Sequence, residues 1–321
     1  MSLSPLPDLQ DGRRRRLVLA ASTGGHLAQL VRLAPGLGAS DDSLWVTFRN
    51  PQSESLLQGR DVLFVPYIRP RDAKSIARAF LEILPRIRRG SYAAAVSTGA
   101  AVALAALPAA RLAGVPSLYI ESVSRLQGPS LSGRIIAALR FAEMRSQHPG
   151  WAGGRWGVHP SVLSTYRPQA LSGVTPGKPS LFVTLGTIRG YEFHSLIDRI
   201  MQLGLADERT VWQLGDTRPR RHLPGRVVAE LPSAEFDRLT AQADVVITHA
   251  GVGTVLQLLD RGIAPVVVPR RRARGEHVDD HQHQLVQLLA DAGVGFAVEV
   301  DDLTADVVAT AAATGVQRLT A

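Results

Sequence analysis

The amino-acid sequence predicts an α/β protein built from two doubly wound parallel sheets. Short apolar runs alternate with longer segments of helical periodicity along the chain, which is the pattern of repeated strand–helix units. The alternation stops at residues 166–179 (YRPQALSGVTPGKP), which are rich in Pro and Gly, and then begins again. The length of 321 residues exceeds what one hydrophobic core usually supports. We therefore expect two domains that face a cleft, joined by a linker at residues 166–179.

The first domain is expected at residues 16–165, after a disordered basic tail at residues 1–15. Its predicted strands are apolar runs at 17–21, 44–48, 62–65, 93–96 and 117–120. One helix is expected from His26, and another between the capping residue Asp72 and Gly90. The Ala-rich run at 100–115 falls short of the ~20 residues of a membrane span, so we interpret it as a buried helix. No signal peptide is expected either, since few apolar residues follow the arginines of the tail.

The second domain is expected at residues 180–321. Its predicted strands lie at 181–184, 211–214, 245–248, 265–268 and 296–300. Its predicted helices lie at 192–203, 234–241, 253–259 and 281–290. Parallel strands joined by helices place the strand ends, and the loops that follow them, at one edge of the sheet.

The charge of the chain is distributed unevenly. The formal net charge is +8, yet residues 1–178 carry 22 Lys+Arg against 10 Asp+Glu, whereas residues 179–321 carry 14 against 18. A basic half and a mildly acidic half favour contact with an anionic lipid surface or a diphosphate over a uniform nucleic-acid surface. The chain has no cysteine, which excludes disulfides, thiolate metal sites and a cysteine nucleophile.

Four predicted strand ends lead into loops rich in Gly and hydroxyl groups. They are residues 22–26 (STGGH), 97–99 (STG), 185–187 (LGT) and 248–254 (THAGVGT). The last combines two glycines, a threonine and the start of a helix, and is the best phosphate-binding candidate. It lacks both the Gly-Lys-Ser/Thr of a P-loop and the glycine spacing of a dinucleotide fingerprint. A tight turn that needs glycine remains the alternative for residues 22–26.

The densest polar cluster is residues 270–283 (RRRARGEHVDDHQH), between a predicted strand end and the next helix. We expect it to contribute to sugar recognition. Two alternatives remain open: a metal site built on the i, i+4 spacing of His277 and His281, and a solvated charged loop.

Several segments together resemble a known family, the two-part UDP-N-acetylglucosamine transferases that add the second sugar of the dolichol-linked oligosaccharide. The second half resembles the catalytic subunit at residues 181–187, 249–254 and 280–282. The first half resembles the membrane-recruiting subunit at residues 22–26, 97–99, 120–125 and 131–133. Bacterial exopolysaccharide glycosyltransferases use the same pair, and here both parts lie in one chain. The peptidoglycan lipid-linked N-acetylglucosaminyltransferase is similar too, as a more distant relative with the same GT-B fold.

The resemblance implies a UDP-sugar donor site in the second domain. The donor-binding residues it implies are Gly186, Thr187, His249, Gly251, Gly253, Thr254, Gln257, Glu276, His277, Asp280, His281 and Gln282. The glycines and threonines would contact the diphosphate, and Asp280 and Gln282 the sugar hydroxyls. The relatives usually carry Glu at the position of Gln257, where a carboxylate can bind the ribose. An amide accepts a hydrogen bond less strongly than a carboxylate.

The resemblance also implies an inverting transfer that needs no metal and no other cofactor. His26 is the candidate general base, because an unperturbed histidine titrates near physiological pH. A role for His26 as a helix cap or phosphate donor is the alternative, and Glu121 is either the competing base or a partner of Arg125. The acceptor-binding residues are Gly24, Gly25, Ser97, Gly99 and Arg125.

The implied partners are a UDP-sugar (UDP-GlcNAc or a related hexose), a polyprenyl-diphosphate-linked glycan and an anionic membrane surface, but not nucleic acid. We expect a cytoplasmic chain, peripheral at the inner face of the plasma membrane and held there by residues 13–16 and 131–141. An ordinary core-facing helix is the alternative for residues 131–141. Self-association and pairing with another chain both stay open.

Two other functions remain as alternatives. A UDP-sugar 2-epimerase has the same fold but acts on the sugar nucleotide without an acceptor. A sugar-nucleotide-binding subunit without catalysis is the other.

Overall fold

The computed structural model describes residues 5–69, 72–172, 177–186, 190–276 and 281–319. The chain divides into two compact units, Met1–Val162 and Leu163–Thr320. Each unit contains a parallel sheet with helices, so the predicted α/β class with two doubly wound sheets is confirmed. The boundary between the units lies three residues before the predicted one.

The first unit is built on a seven-stranded parallel sheet in the order β3-β2-β1-β4-β5-β6-β7. Its strands are β1 (Leu17–Ala21), β2 (Leu44–Phe48), β3 (Asp61–Val65), β4 (Ala94–Gly99), β5 (Ser117–Ile120), β6 (Glu143–Ser146) and β7 (Trp156–Val158). Every residue of β1, β2 and β5 is buried, which explains why their continuous apolar runs were predictable. Strands β6 and β7 were not predicted.

The helices of the first unit are α1 (Gly25–Leu33), α2 (Pro51–Leu56), α3 (Ala73–Arg88), α4 (Ala103–Leu112) and α5 (Leu131–Leu139). As predicted, Asp72 caps α3, where its Oδ1 accepts a hydrogen bond of 3.1 Å from the amide of Ser75. The Ala-rich helix α4 lies in the core, as expected for residues 100–115. Within the described ranges, no helix is both long and apolar enough to cross a membrane.

The prediction of a disordered tail at residues 1–15 is wrong for its described part. Leu9 is buried in the first unit. The amide of Arg15 donates to the carbonyl oxygen of Gly38 at 2.7 Å, and the amide of Ser40 donates to the carbonyl oxygen of Arg15 at 2.9 Å. Burial of one leucine and pairing with residues 38–40 therefore order this segment, and composition alone did not reveal that contact.

The second unit is built on a six-stranded parallel sheet in the order β11-β10-β9-β12-β13-β14, together with an antiparallel pair, β8 and β15. The strands are β8 (Tyr166–Ala170), β9 (Leu181–Thr184), β10 (Val211–Gln213), β11 (Arg226–Val228), β12 (Val245–His249), β13 (Val266–Val268), β14 (Phe296–Ala297) and β15 (Thr314–Arg318). The helices are α6 (His194–Gln202), α7 (Ser233–Gln242), α8 (Val252–Asp260), α9 (His281–Ala292) and α10 (Ala305–Ala312).

The predicted linker is wrong at residues 166–170, because these form strand β8. This strand pairs with β15, so that Tyr166 lies opposite Arg318 and Pro168 opposite Val316. The buried Tyr166 donates its hydroxyl hydrogen to Asp260 at 2.6 Å. Proline is tolerated in β8 because this strand pairs with β15 on one side only. The partner strand lies almost 150 residues away, so local composition could not predict the pairing.

Candidate active site

Three polar loops of the first unit follow neighbouring strands. Residues 22–26 follow β1, residues 97–99 end β4, and residues 121–125 follow β5. Because β1, β4 and β5 are adjacent and parallel, these three loops share one edge of the sheet, where ligands bind in folds of this class. The fold thus brings together the predicted acceptor-side residues.

His26 lies in the first turn of α1 and is held by Thr98. Its Nδ1 is 2.8 Å from the carbonyl oxygen of Thr98, and the Thr98 hydroxyl donates to the carbonyl oxygen of His26 at 2.8 Å. A carbonyl oxygen can only accept, so Nδ1 carries the hydrogen and Nε2 keeps the lone pair in the neutral ring. Burial lowers the pKa of His26 below its ordinary value, an effect that the bond to Thr98 and the charge of Glu121 oppose.

Gly99 lies against the His26 ring. Its φ of +117° is in the region that favours glycine. A Cβ atom at this position would lie 3.2 Å from Cε1 of His26 and 2.8 Å from the hydroxyl of Tyr119. Gly99 therefore makes room for the imidazole. Ser97 is buried, and its hydroxyl accepts from the amide of Gly99 at 3.1 Å, so it shapes the turn.

The glycine loop before α1 differs in detail from the prediction that both of its glycines face a diphosphate. The amide of Gly24 donates to Oε1 of Gln52 at 2.7 Å, so it is already satisfied. The amides of Gly25 and His26 have no acceptor among the described residues. The buried hydroxyl of Ser22 also lacks a partner there. Ser22, Gly25 and His26 of this loop thus each carry a donor without an acceptor among the described residues.

Glu121 is completely buried beneath the loops. Its Oε1 accepts from the hydroxyl of Tyr119 at 3.3 Å and from the amide of Ser122 at 3.1 Å. Its Oε2 accepts from the amide and the hydroxyl of Ser130, at 2.8 Å and 3.0 Å. Four protein donors therefore occupy this carboxylate and fix the start of α5. This arrangement suits a structural anchor and argues against the prediction of Glu121 as a base.

Arg125 lies in the loop between β5 and α5, near His26 and Glu121. Its amide donates to the carbonyl oxygen of Ser122 at 3.0 Å, and its own carbonyl accepts from Nε1 of Trp151 at 2.8 Å. Its charge contributes to lowering the pKa of His26. The backbone of Arg125 is thus well fixed next to the candidate base.

In the second unit, His249 packs against two glycines of different loops. A Cβ atom at Gly186 would lie 2.5 Å from Cε1 and Nε2 of His249, and one at Gly251 would also overlap this ring. Gly186 moreover has a φ of +79°. Glycine is therefore required at both positions, because a larger residue would overlap the imidazole of His249. This ring packs against the loop after β9 as well as its own loop after β12. The sequence placed all three residues at one site, and the geometry brings them together.

Helix α8 begins with a set of free amides. The amides of Val252, Gly253 and Thr254 have no acceptor in the described part of the chain, and no side chain caps the helix. The first bonded amide is that of Val255, which donates to Gly251 at 2.9 Å. Three free donors and the positive end of the helix dipole make this an anion-binding geometry.

Gln257 lies one turn further along α8 and faces a carboxylate. Its Nε2 donates to Oδ1 of Asp237 at 2.7 Å, and Asp237 also pairs with Arg261. The amide is therefore held by α7, with the negative charge on Asp237. Sequence reasoning did not find Asp237.

Glu276 is hydrogen-bonded to other residues of the second unit. It is buried, its Oε1 accepts from the hydroxyl of Ser195, and its Oε2 accepts from the amide of Arg271 at 3.1 Å. Both oxygens of Glu276 are thus hydrogen-bonded within the second unit, and its place in the donor site stays a prediction. Oε1 of Gln282 accepts from the amide of Arg270 at 2.9 Å, which leaves the amide group of Gln282 as a donor.

Part of the predicted donor site lies outside the described residues. These residues are Thr187, His277 and Asp280, together with the side chain of His281. The metal alternative based on His277 and His281 falls there as well. Elsewhere in the described ranges, no group of three or more His, Asp or Glu side chains is arranged to hold a metal ion.

Comparison with known proteins identifies the class of enzyme. Residues 233–314, which include α7, β12, α8 and β13, match the glycosyltransferase family 28 C-terminal domain. A Paracidovorax citrulli protein is 28% identical over 92% of this chain and 88% of its own length. Its name is UDP-N-acetylglucosamine–N-acetylmuramyl-(pentapeptide) pyrophosphoryl-undecaprenol N-acetylglucosamine transferase. The chain is a glycosyltransferase.

Solved structures agree on the fold of this glycosyltransferase. MurG of Acinetobacter baumannii is 20% identical, with a TM-score of 0.55 over 92% of this chain and 89% of its own. A UDP-N-acetylglucosamine 2-epimerase homologue from Listeria monocytogenes is 13% identical, with a TM-score of 0.52 over 93% of this chain and 91% of its own. The glycosyltransferase thus has the GT-B fold, which the two kinds of enzyme share.

Proposed function

We propose that this glycosyltransferase moves a sugar from a UDP-sugar, UDP-GlcNAc or a related hexose, to a polyprenyl-diphosphate-linked acceptor, with inversion and without a metal ion. The observation that carries the proposal is the arrangement of His26. Its Nδ1–H donates to Thr98, burial favours the neutral ring, and its Nε2 has no partner among the described residues. The relative from Paracidovorax citrulli, whose name describes such a transfer, supports the substrate class.

In the proposed reaction, an acceptor hydroxyl attacks the anomeric carbon of the donor. The new bond joins the acceptor oxygen to that carbon, while the bond to the UDP oxygen breaks and its electron pair leaves with UDP. Nε2 of His26 takes the acceptor proton. Attack on the face opposite the leaving group inverts the configuration. Glu121 has no part in the proton transfer, because four donors already occupy its oxygens.

The second unit supplies the donors for the leaving diphosphate. The free amides of Val252, Gly253 and Thr254 would bind its oxygens, with Gly186 and Gly251 kept small so that His249 fits between them. Fixed donors of this kind stabilise charge as it develops and need no reorganisation. Helix amides can therefore perform the task that a divalent cation performs in other transferases. Gln257 and Asp237 extend the site by one helical turn, on the side where a ribose would follow the diphosphate.

Contact with an anionic membrane is proposed for α5. Leu131 and Leu139 are 58% and 56% exposed on this helix, while Gly133 and Ile136 on its other face are buried. Arg134, Arg140 and Arg155 lie on or next to this helix; Arg134 and Arg155 donate to backbone carbonyl oxygens, and no ion pair of the three occurs among the described residues. Exposed leucines ringed by unpaired arginines suit the headgroup region of an anionic leaflet. The location would then be peripheral, at the inner face of the plasma membrane.

The other predicted membrane segment, residues 13–16, is less suited to this role. Each of its four arginines lies within 4 Å of a carboxylate of the same unit. The pair of Arg15 and Asp11 is the closest, and it holds the pKa of that carboxyl well below its usual range. Since these charges are already compensated, we assign the membrane contact to α5.

The arrangement of both halves in one chain supports the fusion that the sequence suggests. The first unit carries the proposed acceptor loops and the exposed face of α5, and the second unit carries the proposed donor loops. A two-part transferase divides the same tasks between a membrane-recruiting and a catalytic subunit. We therefore propose that the chain combines the two.

The test is acceptor dependence. The purified chain is incubated with UDP-GlcNAc, with and without a polyprenyl-diphosphate-linked sugar, and the products are separated by chromatography. We expect sugar on the lipid and free UDP only when the acceptor is present. An isomerised UDP-sugar in the absence of acceptor would favour the epimerase instead, and binding of UDP-GlcNAc without turnover of any acceptor would favour a non-catalytic subunit.

A further inference from the structure

A buried arginine follows β13 in the second unit and has no role in the function proposed so far. Arg270 has no exposed surface. Its guanidinium donates to the carbonyl oxygen of Leu185 and, at 3.2 Å, to that of Tyr191. Its Nε has no partner among the described residues, and its carbon Cζ lies 5.5 Å from the centre of the Phe193 ring.

The charge of Arg270 is not neutralised by an ion pair with any described residue. Carbonyl groups and an aromatic ring satisfy donors but carry no negative charge. The charges of Glu276 and Asp216 act on Arg270 only from a distance, and burial lowers its pKa to about 10. A buried cation without a close anion is unfavourable in a folded protein. Such a group indicates a function other than stability.

The position of Arg270 suggests that function. The carbonyl it binds belongs to Leu185, the residue before Gly186, and Gly186 packs on His249 at the start of the loop to α8. The other carbonyl belongs to Tyr191, six residues further along the chain than Leu185. The guanidinium thus binds described backbone on either side of residues 187–189, at Leu185 and at Tyr191.

We propose that Arg270 is a positioning residue of the donor site, which fixes the Leu185–Gly186 backbone and supplies the positive charge that a bound diphosphate neutralises. The inference rests on the proposed function. A diphosphate on the α8 amides would bring negative charge to the unit in which the guanidinium of Arg270 has no carboxylate partner among the described residues. The positive charge of the arginine would then increase the affinity for ligands with more phosphate charge. It would also stabilise the negative charge that develops on UDP as the bond to the sugar breaks.

The test compares uridine, UMP and UDP as ligands, with dissociation constants measured by isothermal titration calorimetry. Two variants separate charge from hydrogen bonding: Arg270→Lys keeps the charge with fewer donors, and Arg270→Gln keeps an amide donor without the charge. Arg271→Gln is the matched control, because the neighbouring Arg271 pairs with Glu299 instead.

We expect Arg270→Gln to weaken UDP binding by roughly 10- to 100-fold, with a smaller loss for UMP and little change for uridine. Arg270→Lys should keep most of the preference for UDP over uridine, and Arg271→Gln all of it. Equal losses for all three ligands, or better UDP binding by the Gln variant than by the Lys variant, would overturn the inference.

Folding and the proposed function are checked separately. Circular dichroism and the melting temperature establish whether each variant is folded. If the Gln variant is not folded, the Lys variant still tests the inference. A loss of the preference for UDP over uridine in the Lys variant would contradict a role for the charge. Failure of the wild-type chain to bind UDP would instead overturn the proposed donor site itself, and the role of Arg270 with it.

Discussion

Nδ1 of His26 and the carbonyl oxygen of Thr98 lie 2.8 Å apart, and the Thr98 hydroxyl returns a hydrogen bond to the carbonyl oxygen of His26. This reciprocal pair fixes both the orientation of the ring and its tautomer. The nitrogen that can accept a proton is therefore Nε2. The arrangement corresponds to the base–orienter pair of enzymes that use histidine as a general base, with a backbone carbonyl in place of a carboxylate.

Replacement of His26 by Gln should abolish most of the transfer. The amide can still donate to Thr98 but cannot take a proton, so we expect kcat to fall by about 10²- to 10⁴-fold. UDP affinity should stay unchanged, because the donor residues lie in the other unit. Steady-state kinetics and calorimetry measure the two quantities. A loss of less than tenfold in kcat would assign the base to another group.

The pH profile should reveal a base with a lowered pKa. Burial favours the neutral ring of His26, so its pKa lies below the ordinary value of 6.5. The neutral form is the active base, and activity should therefore be present above this pKa and decline as the pH falls through it. We expect the acid limb of log kcat/KM below pH 6.5. An acid limb at higher pH in the wild type would contradict the assignment.

A methyl group at Gly186 should damage the donor site specifically. In Gly186→Ala the new Cβ would overlap the ring of His249, which should displace the loop and weaken UDP binding by roughly tenfold or more. Gly190→Ala is the matched control, since both glycines have a φ of +79° but an added Cβ at Gly190 would have no atom within 4 Å among the described residues. Both variants share the backbone strain, so only the first should lose UDP affinity.

Replacement of Gln257 by Glu should lower the free energy of unfolding, and the additional substitution Asp237→Asn should restore it. The new carboxylate would face Asp237 where an amide now donates at 2.7 Å, at a cost of about 1 kcal/mol in this partly exposed place. In the double variant with Asp237→Asn, the amide and the carboxylate exchange positions, so the free energy of unfolding should recover. Urea denaturation of the single and double variants measures this coupling. Strictly additive effects would mean that the two side chains do not interact.

The exposed face of α5 should govern binding to anionic vesicles. Substitutions Leu139→Ser and Arg134→Glu remove an apolar contact and reverse a charge, so together they should weaken binding to phosphatidylglycerol vesicles by about tenfold or more. Arg14→Ala is the control, because Arg14 pairs with Asp41. Vesicle flotation measures the bound fraction. Weaker binding in the control than in the α5 variant would assign the contact to the tail.

The parts of the fold that could be predicted are those whose structure depends on the residues of one short segment alone. The buried runs of β1 and β2, the cap at Asp72 and the glycine loop before α8 are examples. Strand β8 and the ordered tail depend on partners far along the chain, so their local composition was misleading. Long-range pairing is the information that a single sequence does not display.

The same limit applies to the candidate site. His26, Gly186 and His249 lie in loops that the sequence identifies by their glycines and hydroxyl groups. The structure shows in addition which residues these three contact. The sequence left Glu121 as a competing base or a partner of Arg125, because spacing alone does not show which groups donate hydrogen bonds to its carboxylate, above all Ser130. In the sequence, Arg270 is one member of the polar cluster at residues 270–283 that we expected to contribute to sugar recognition, and only its complete burial distinguishes it from the arginines that follow.

The stereochemistry of transfer tests the central claim most directly. The wild-type chain and His26→Gln are supplied with α-linked UDP-GlcNAc and a soluble analogue of a polyprenyl-diphosphate-linked sugar, in the presence of EDTA, and the product linkage is determined by NMR. We predict a β-linked product from the wild type, undiminished by the chelator, and almost none from the variant. An α-linked product, or a β-linked product formed equally well without His26, would contradict the account.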